Sequence, residues 1–172
     1  MKIESTDFTV EDIKSFMASY RDHERDVLAG RLEEVARRLA EIAPRIEGKA
    51  TDVAGWNAHE VLAHIAVVSK FYGVVVHKIA SGQVTELDLL ESVHMRDVAG
   101  RQMAELDNEG LIAAAVADMR RTVKLLRGLA GDDLRRSAVM SGAMAMTAEE
   151  VARLPLVGHL ELHLEQLEKL VG

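Results

Sequence analysis

The final stretch of the chain carries the pattern that most restricts how this sequence can fold. Its leucines recur at the spacing of one helix face, at Leu156, Leu160, Leu164 and Leu167. His159 and His163 are four residues apart, which on an α-helix places them about 40° apart in rotation and one turn apart in height. Both imidazoles can therefore reach one ion. Because the leucines lie on the same or neighbouring rows, we expect the pair to point toward a core rather than into water.

The residue expected to join this pair is His64, which lies in the best delimited helix of the sequence. Asn57 is a favourable N-cap, and Glu60 follows three residues later as in a capping box. Trp56, directly before the cap, occupies the position of a hydrophobic staple. Ser81-Gly82 is expected to end the helix. His64 falls within a wide apolar face made of Val61, Ile65, Val68, Phe71, Tyr72, Val75 and Ile79.

The three residues His64, His159 and His163 are the predicted metal ligands. Zinc and similar ions favour imidazole nitrogens, and three protein ligands with an open fourth position are typical of catalytic sites. A divalent ion in such a site lowers the pKa of a bound water to about 7. Two alternatives stay open at this point. In a chain with seven histidines the spacing can arise by chance on a helix surface, and a single core histidine is usually just hydrogen-bonded.

The other histidines fit metal chemistry less well. His59 and His77 each lie about 140° from His64 around the helix. The stretch from His59 to His64 also has one residue too many for the HExxH motif of zinc proteases. Glu91 and His94 form an ExxH element of the kind found in di-iron bundles, but those sites need a second copy and two further glutamates. The sequence has no second copy, so a di-iron site is not expected.

The whole pattern predicts an all-α fold, an antiparallel four-helix bundle with a long crossover and an extra N-terminal helical segment. We expect residues 1–172 to form a single domain. Thr9 and Asp12 resemble a capping box before the first helix, which Pro44 ends and which could be one helix or two. A weaker helix and crossover follow Gly82, and the next helix spans about residues 109–130. The last helix begins at a Thr147 capping box, and Pro155 is expected to kink it or to restart it.

Apart from these helices, no long stretch that alternates apolar and polar residues suggests a sheet.

The first predicted helix shows two runs of apolar residues at helical spacing, separated by a charged run. The first run is Ile13, Phe16, Met17 and Tyr20, and the second is Val27, Leu28, Leu32, Val35, Leu39 and Ile42.

Composition and charge narrow the classes of partner. The formal net charge of −7 argues against nucleic acid and against an anionic membrane surface. The chain has no cysteine, so disulfides and thiolate metal sites are excluded, and any thiol chemistry would need a thiol from a cosubstrate. There is no signal-peptide pattern, and no stretch approaches the roughly 18 apolar residues of a membrane span. We therefore expect a cytoplasmic protein.

Several of these motifs resemble one known family. The stretch Gly55-Trp56-Asn57-Ala58-His59-Glu60-Val61-Leu62-Ala63-His64-Ile65 resembles the "GWS…EVLAHL" start of the second helix in DinB-like (DinB/YfiT-like) proteins. His159 and His163 match the HxxxH of that family's final helix, and Gln166 matches a glutamine that often follows it. The resemblance covers most of the chain from about Val27 onward. The sequence departs from the family by its extra segment through Tyr20 and by Pro155.

The resemblance implies a four-helix bundle, often dimeric, in which His64, His159 and His163 hold a divalent metal such as zinc or nickel. Family members with known activities include transferases and isomerases that use low-molecular-weight thiols, and metal-dependent hydrolases. We therefore expect a metal-dependent enzyme that activates water or a thiol against a small-molecule substrate. Glu60, Glu161 and Glu165 are candidate bases only by their proximity in sequence. The alternative is a non-catalytic bundle that binds a small ligand or serves a stress response.

Overall fold

The first helix is a single, uninterrupted element. The computed structural model describes residues 9–46, 56–88, 100–103 and 105–172, and α1 spans Val10–Ile46. The capping box predicted before it is confirmed, because the Thr9 hydroxyl accepts from the Asp12 amide at 3.2 Å and the Asp12 carboxylate accepts from the Thr9 amide at 2.8 Å. Pro44 does not end the helix as expected. It lies within the last turn, and the helix continues to Ile46.

Helix α2 spans Ala58–Ala80 and forms the centre of the core. Its predicted capping box is confirmed, since Asn57 and Glu60 each bind the other's backbone amide through their side chains. The helix ends as predicted, with Ser81 as its C-cap and Gly82 at a φ of +72°, a conformation that favours glycine. Among the described helices, α2 alone is long and apolar enough to cross a membrane by length and composition. Because 61% of its most apolar window is buried inside the fold, it has the burial of a core helix.

The remaining helices pack against α1 and α2. Helix α3 spans Asn108–Gly128, close to the predicted bounds, and a 3₁₀ helix follows at Gly131–Arg135. Helix α4 (Ala148–Val151) begins at the predicted Thr147 capping box. It continues through a π-helical segment, Ala152–Gly158, into α5 (His159–Val171). Both α1 and α2 contact α3 and α5, so one core lies between these four helices.

A small sheet was not predicted, and that expectation is wrong. Strands β1 (Glu86–Leu87), β2 (Ser137–Met140) and β3 (Met144–Thr147) form one sheet, in which β1 pairs with β2 in parallel and β2 with β3 antiparallel. The turn between β2 and β3 places Ser141 and Gly142 at positive φ. Strands of two to four residues are too short to show an alternating pattern, which explains why the sequence did not reveal them.

The sheet lies in segments that the sequence pattern indicated only as connections between helices. Residues 100–103 are helical, and Met103 is half-buried against the core. The ExxH element of Glu91 and His94 lies outside the described part of the chain.

Candidate metal centre

The structure brings the three predicted ligands together. His64 lies in the second turn of α2, while His159 is the first residue of α5 and His163 follows one turn later. The Nε2 atoms of His64 and His159 are 3.1 Å apart, although the two residues are 95 positions apart in sequence. One ring nitrogen from each of the three histidines lies within 4.8 Å of the others. All three rings are half-buried at the edge of the core.

These distances can be compared with the requirements of a zinc ion. Tetrahedral zinc with Zn–N bonds of about 2.0–2.1 Å separates two ligating nitrogens by roughly 3.3–3.4 Å. The Nε2 atoms of His64 and His159 are already close to that spacing. The centroids of the three rings are 4.7 to 5.1 Å apart in pairs, so small ring rotations suffice to aim all three nitrogens at one point. Within the described residues, this is the one group of three or more potential ligands so arranged.

The apolar residues around the pair explain its orientation. Leu156, Leu160, Leu164 and Leu167 are all fully buried, as the leucine spacing predicted. The two histidines lie beside this stripe and are thereby held against α2. On the opposite flank, the Arg31 guanidinium of α1 forms two hydrogen bonds with Glu161. This ion pair with Glu161 raises the pKa of Arg31 above its ordinary range, and it ties α5 to α1.

The π-helical segment directly precedes His159, the first of the two proposed ligands on α5. Pro155 has no amide hydrogen, and in an ordinary α-helix its ring would clash with the carbonyl of Val151. The helix does not restart at Pro155, which was one of the two expected outcomes. It widens into a π turn there, and the amide of His159 donates to the carbonyl of Leu154, five residues back. The widened turn sets the rotation at which His159 enters α5.

Gln166 forms a hydrogen bond with the ring of His163. Its Oε1 lies 2.8 Å from the Nδ1 of His163. An amide oxygen only accepts, so Nδ1 carries the hydrogen and Nε2 is left with its lone pair for a ligand bond. The resemblance noted Gln166 without a role. Its spacing of three residues from His163 was the signal for this contact.

Trp56 borders the cluster on another side. Its ring meets His64 edge-on, with centroids 5.0 Å apart, and lies nearly parallel to His163, with centroids 6.4 Å apart and an interplanar angle of 11°. The side chain remains 41% exposed. Sequence reasoning assigned Trp56 only to a hydrophobic staple. It missed this position because the residue precedes the helix and shares no periodicity with the ligands.

The residues judged less suitable lie elsewhere. His77 is exposed, and His59 shares a 2.8 Å hydrogen bond with Asn108 away from the cluster. Two of the three candidate bases have other hydrogen-bond partners. Glu60 caps α2 and Glu161 binds Arg31. The third, Glu165, is exposed. None of the three is thereby identified as a base.

The comparison with known proteins agrees with the motifs. No solved structure gives a significant match to this chain. The sequence profile described as the DinB superfamily matches residues 20–167, which include α2, the π-helical segment and all three histidines. The match covers most of the chain, so this protein belongs to the DinB superfamily.

Proposed function

We propose that His64, His159 and His163 bind one divalent metal ion, zinc or nickel, and that the protein is a metal-dependent enzyme. The observation that carries this proposal is the convergence of three imidazoles from two distant helices, two of them with Nε2 atoms 3.1 Å apart. Metal binding in the DinB superfamily supports it. A neutral donor set of this kind suits zinc, nickel and similar ions better than calcium or magnesium, which prefer oxygen ligands.

The surrounding residues would prepare the site for chemistry. When bound, an ion held by three imidazoles would acidify a water or a low-molecular-weight thiol in its open position. Gln166 fixes the tautomer and the direction of the His163 ring, as partners behind metal ligands commonly do. Trp56 covers one side of His64 and His163, and so restricts the approach of water there. We infer a small electrophilic substrate, with hydrolysis or a thiol-dependent transfer or isomerisation as the reaction.

The proposal also covers the overall fold, the location in the cell and the class of ligand. We propose that α1, α2, α3 and α5 form an antiparallel four-helix bundle within a single domain of residues 1–172. The cytoplasm is the proposed location, and small molecules rather than nucleic acid or membrane are the proposed ligands, in keeping with the net charge of −7.

A non-catalytic role is the second candidate, and one observation favours it. The Nε2 atoms of His64 and His159 are close enough to share a hydrogen bond without any ion. In that case the cluster would be a half-buried polar contact in a bundle that binds a small ligand or serves a stress response.

Metal content in purified variants tests the proposal. We expect about one zinc or nickel ion per wild-type chain, and little or none in His64→Ala, His159→Ala or His163→Ala. His77→Ala is the matched control, because His77 is exposed on the same helix as His64. Circular dichroism checks that each variant is folded. If all three ligand variants keep one ion per chain, the assignment is wrong.

Measuring the turnover of metal-loaded protein distinguishes a metal-dependent enzyme from a non-catalytic bundle. Metal-loaded protein is assayed against panels of esters, amides and electrophiles with and without small thiols. Turnover that is lost in His163→Ala supports an enzyme. Binding of metal without turnover on any panel favours the non-catalytic role.

A further inference from the structure

A row of charged side chains follows α1 with a period of seven residues. Seven residues of an α-helix complete two turns to within about 20° and rise about 10.5 Å, so residues with this period leave the helix on nearly the same face. We call these residues the charged row, and they all contact one neighbouring part of the chain. The charged row consists of Glu24, Arg31, Arg38 and Arg45.

Each member of the charged row binds a partner on the π-helical segment or on α5. The partners, in the same order, are Arg153, Glu161, Glu168 and the carbonyl oxygen of Val171. Arg31 and Arg38 each donate from Nε at 2.9 Å and from a second nitrogen to the same carboxylate. A single exposed ion pair stabilises little, but bidentate pairs arranged in a series fix the position of one helix relative to another.

The partners of the charged row do not keep its seven-residue period throughout. Glu161 and Glu168 are seven residues apart, whereas Arg153 and Glu161 are eight apart. Eight residues of a regular α-helix turn by about 800°, about 80° past two full turns, so Arg153 and Glu161 would not face α1 together. The π-helical segment Ala152–Gly158 covers most of this interval, and a π turn takes in one residue more than an α turn. The extra residue therefore removes the mismatch.

The same rotation decides where the two proposed ligands on α5 point. Glu161 lies two residues from both His159 and His163, which on an α-helix corresponds to about 200°. The side of α5 that carries Glu161 is therefore nearly opposite the side that carries the imidazoles. Because Arg31 holds Glu161 toward α1, the two histidines are directed to the other side, where they meet His64 of α2.

We propose that the charged row of α1 sets the rotation of α5, and that the π-helical segment supplies the one extra residue that keeps the ion pairs on both sides of it in register. Arg31 and Glu161 are then positioning residues for the metal site. The inference rests on the proposed function, since it assigns how that site is held in place, but the rotation of α5 can be measured in the metal-free protein.

Reversing the charge of Arg31 tests the charged row. Arg31→Glu places two carboxylates opposite each other, so we expect α5 to rotate and zinc affinity to fall about tenfold or more in competition with a chromophoric chelator. A direct charge effect has the opposite sign, because an added negative charge favours the binding of a cation. The exchange variant Arg31→Glu/Glu161→Arg restores the attraction between the helices and should recover most of the affinity.

Arg127→Glu is the matched control for this reversal. Arg127 forms two hydrogen bonds with the carboxylate of Glu33, so it joins α3 to α1 by the same kind of ion pair without involving α5. Zinc affinity should be unchanged in this variant. Unchanged affinity in Arg31→Glu, or no recovery in the exchange variant, overturns the proposal.

Nuclear Overhauser effects between the rings of His64 and His159 report the rotation in metal-free protein. We expect them in the wild type and in Arg127→Glu, a loss in Arg31→Glu, and a return in the exchange variant. A wild type that binds no zinc contradicts the proposed function alone, and these ring contacts then decide the present proposal. If Arg31→Glu keeps them, the charged row does not set the rotation.

Deletion of Pro155 tests the part assigned to the extra residue. The deletion leaves Arg153 and Glu161 seven residues apart, so a regular α-helix then brings both to the same face. We expect zinc affinity and the contacts between the His64 and His159 rings to stay close to those of the wild type. Insertion of one alanine after Leu154 is the matched control, because it lengthens the interval instead, and it should abolish both. Equal loss in the two variants, or no loss in either, overturns the proposal, and circular dichroism checks that each is folded.

Discussion

At the scale of single residues, the candidate site depends on groups that surround the ligands as much as on the ligands themselves. Three histidines provide nitrogens, but an imidazole has two tautomers and rotates about its side chain. The hydrogen bond from His163 to Gln166 fixes both the tautomer and the direction of that ring. Trp56 limits the space on one side of the cluster. The preorganisation of the candidate site therefore comes from two residues that are not themselves proposed as ligands.

Replacing Gln166 by leucine tests this role. The substitution keeps the approximate volume and removes the acceptor, so we expect metal affinity to fall about 10- to 100-fold. Affinity is measured by competition with a chromophoric chelator, and the fluorescence of Trp56, the single tryptophan of the chain, offers a second readout. Nitrogen chemical shifts of the His163 ring report its tautomer, which should become mixed in the variant.

Gln166→Glu serves as the conservative comparison, because a carboxylate still accepts from Nδ1. It should retain most of the affinity, and Glu165→Ala on the neighbouring exposed position should have no effect. Unchanged affinity in Gln166→Leu would show that the contact only packs the helix.

At the scale of elements, the last helix is the one whose local geometry matters most. A π turn closes its hydrogen bonds one residue later than an α turn. Ala152–Gly158 therefore changes the rotation of everything that follows, relative to the helix that starts at Thr147. Since each residue of an α-helix turns by about 100°, one residue of difference is enough to move an imidazole off the face toward α2.

Pro155→Ala tests whether the proline causes the widened turn. Alanine restores the missing donor and removes the ring, so we expect the segment to tighten toward α-helix and the two C-terminal histidines to rotate. Metal affinity should then fall at least tenfold, while helical content by circular dichroism stays equal or rises.

Leu154→Ala is the comparison within the same turn, because Leu154 is exposed and its loss leaves the proline in place. It should bind metal like the wild type. If Pro155→Ala keeps full affinity, packing of the buried leucines rather than the proline sets the register.

At the scale of the whole molecule, the site joins two helices that are far apart along the chain. α2 contributes one ligand and α5 contributes two, while ion pairs from Arg31 and Arg38 of α1 hold α5 in place through Glu161 and Glu168. An ion bound across α2 and α5 would stabilise the folded state alone, because the unfolded chain does not bring the three rings together.

Thermal unfolding with and without a chelator tests this coupling. A ligand present at a hundred times its dissociation constant stabilises the native state by about 2.7 kcal/mol. For a chain of this length, that corresponds to a fall in Tm of roughly 5–10 °C when the metal is removed. Differential scanning calorimetry measures the change, and His163→Ala should show no response to the chelator. A wild-type Tm that is insensitive to chelator would contradict a bound ion across the two helices.

Much of this protein could be predicted from local patterns in its sequence. The capping boxes at Thr9, Asn57 and Thr147 fixed where three helices begin, because a cap is made by residues within one turn. The buried leucines of α5 and the shared helix face of His159 and His163 followed from helical spacing. These features depend on neighbours in sequence, so their signals are complete in a short window.

Other features depend on distant contacts, and only the tertiary structure decided them. The strands are too short for a periodic signal and exist because they pair with one another. The place of Trp56 over the histidines, and the exposure of Phe16 near the start of α1, follow from where α1, α2 and α5 meet. Helical spacing tells which residues share a face. Whether that face is covered is settled by packing between elements that are far apart along the chain.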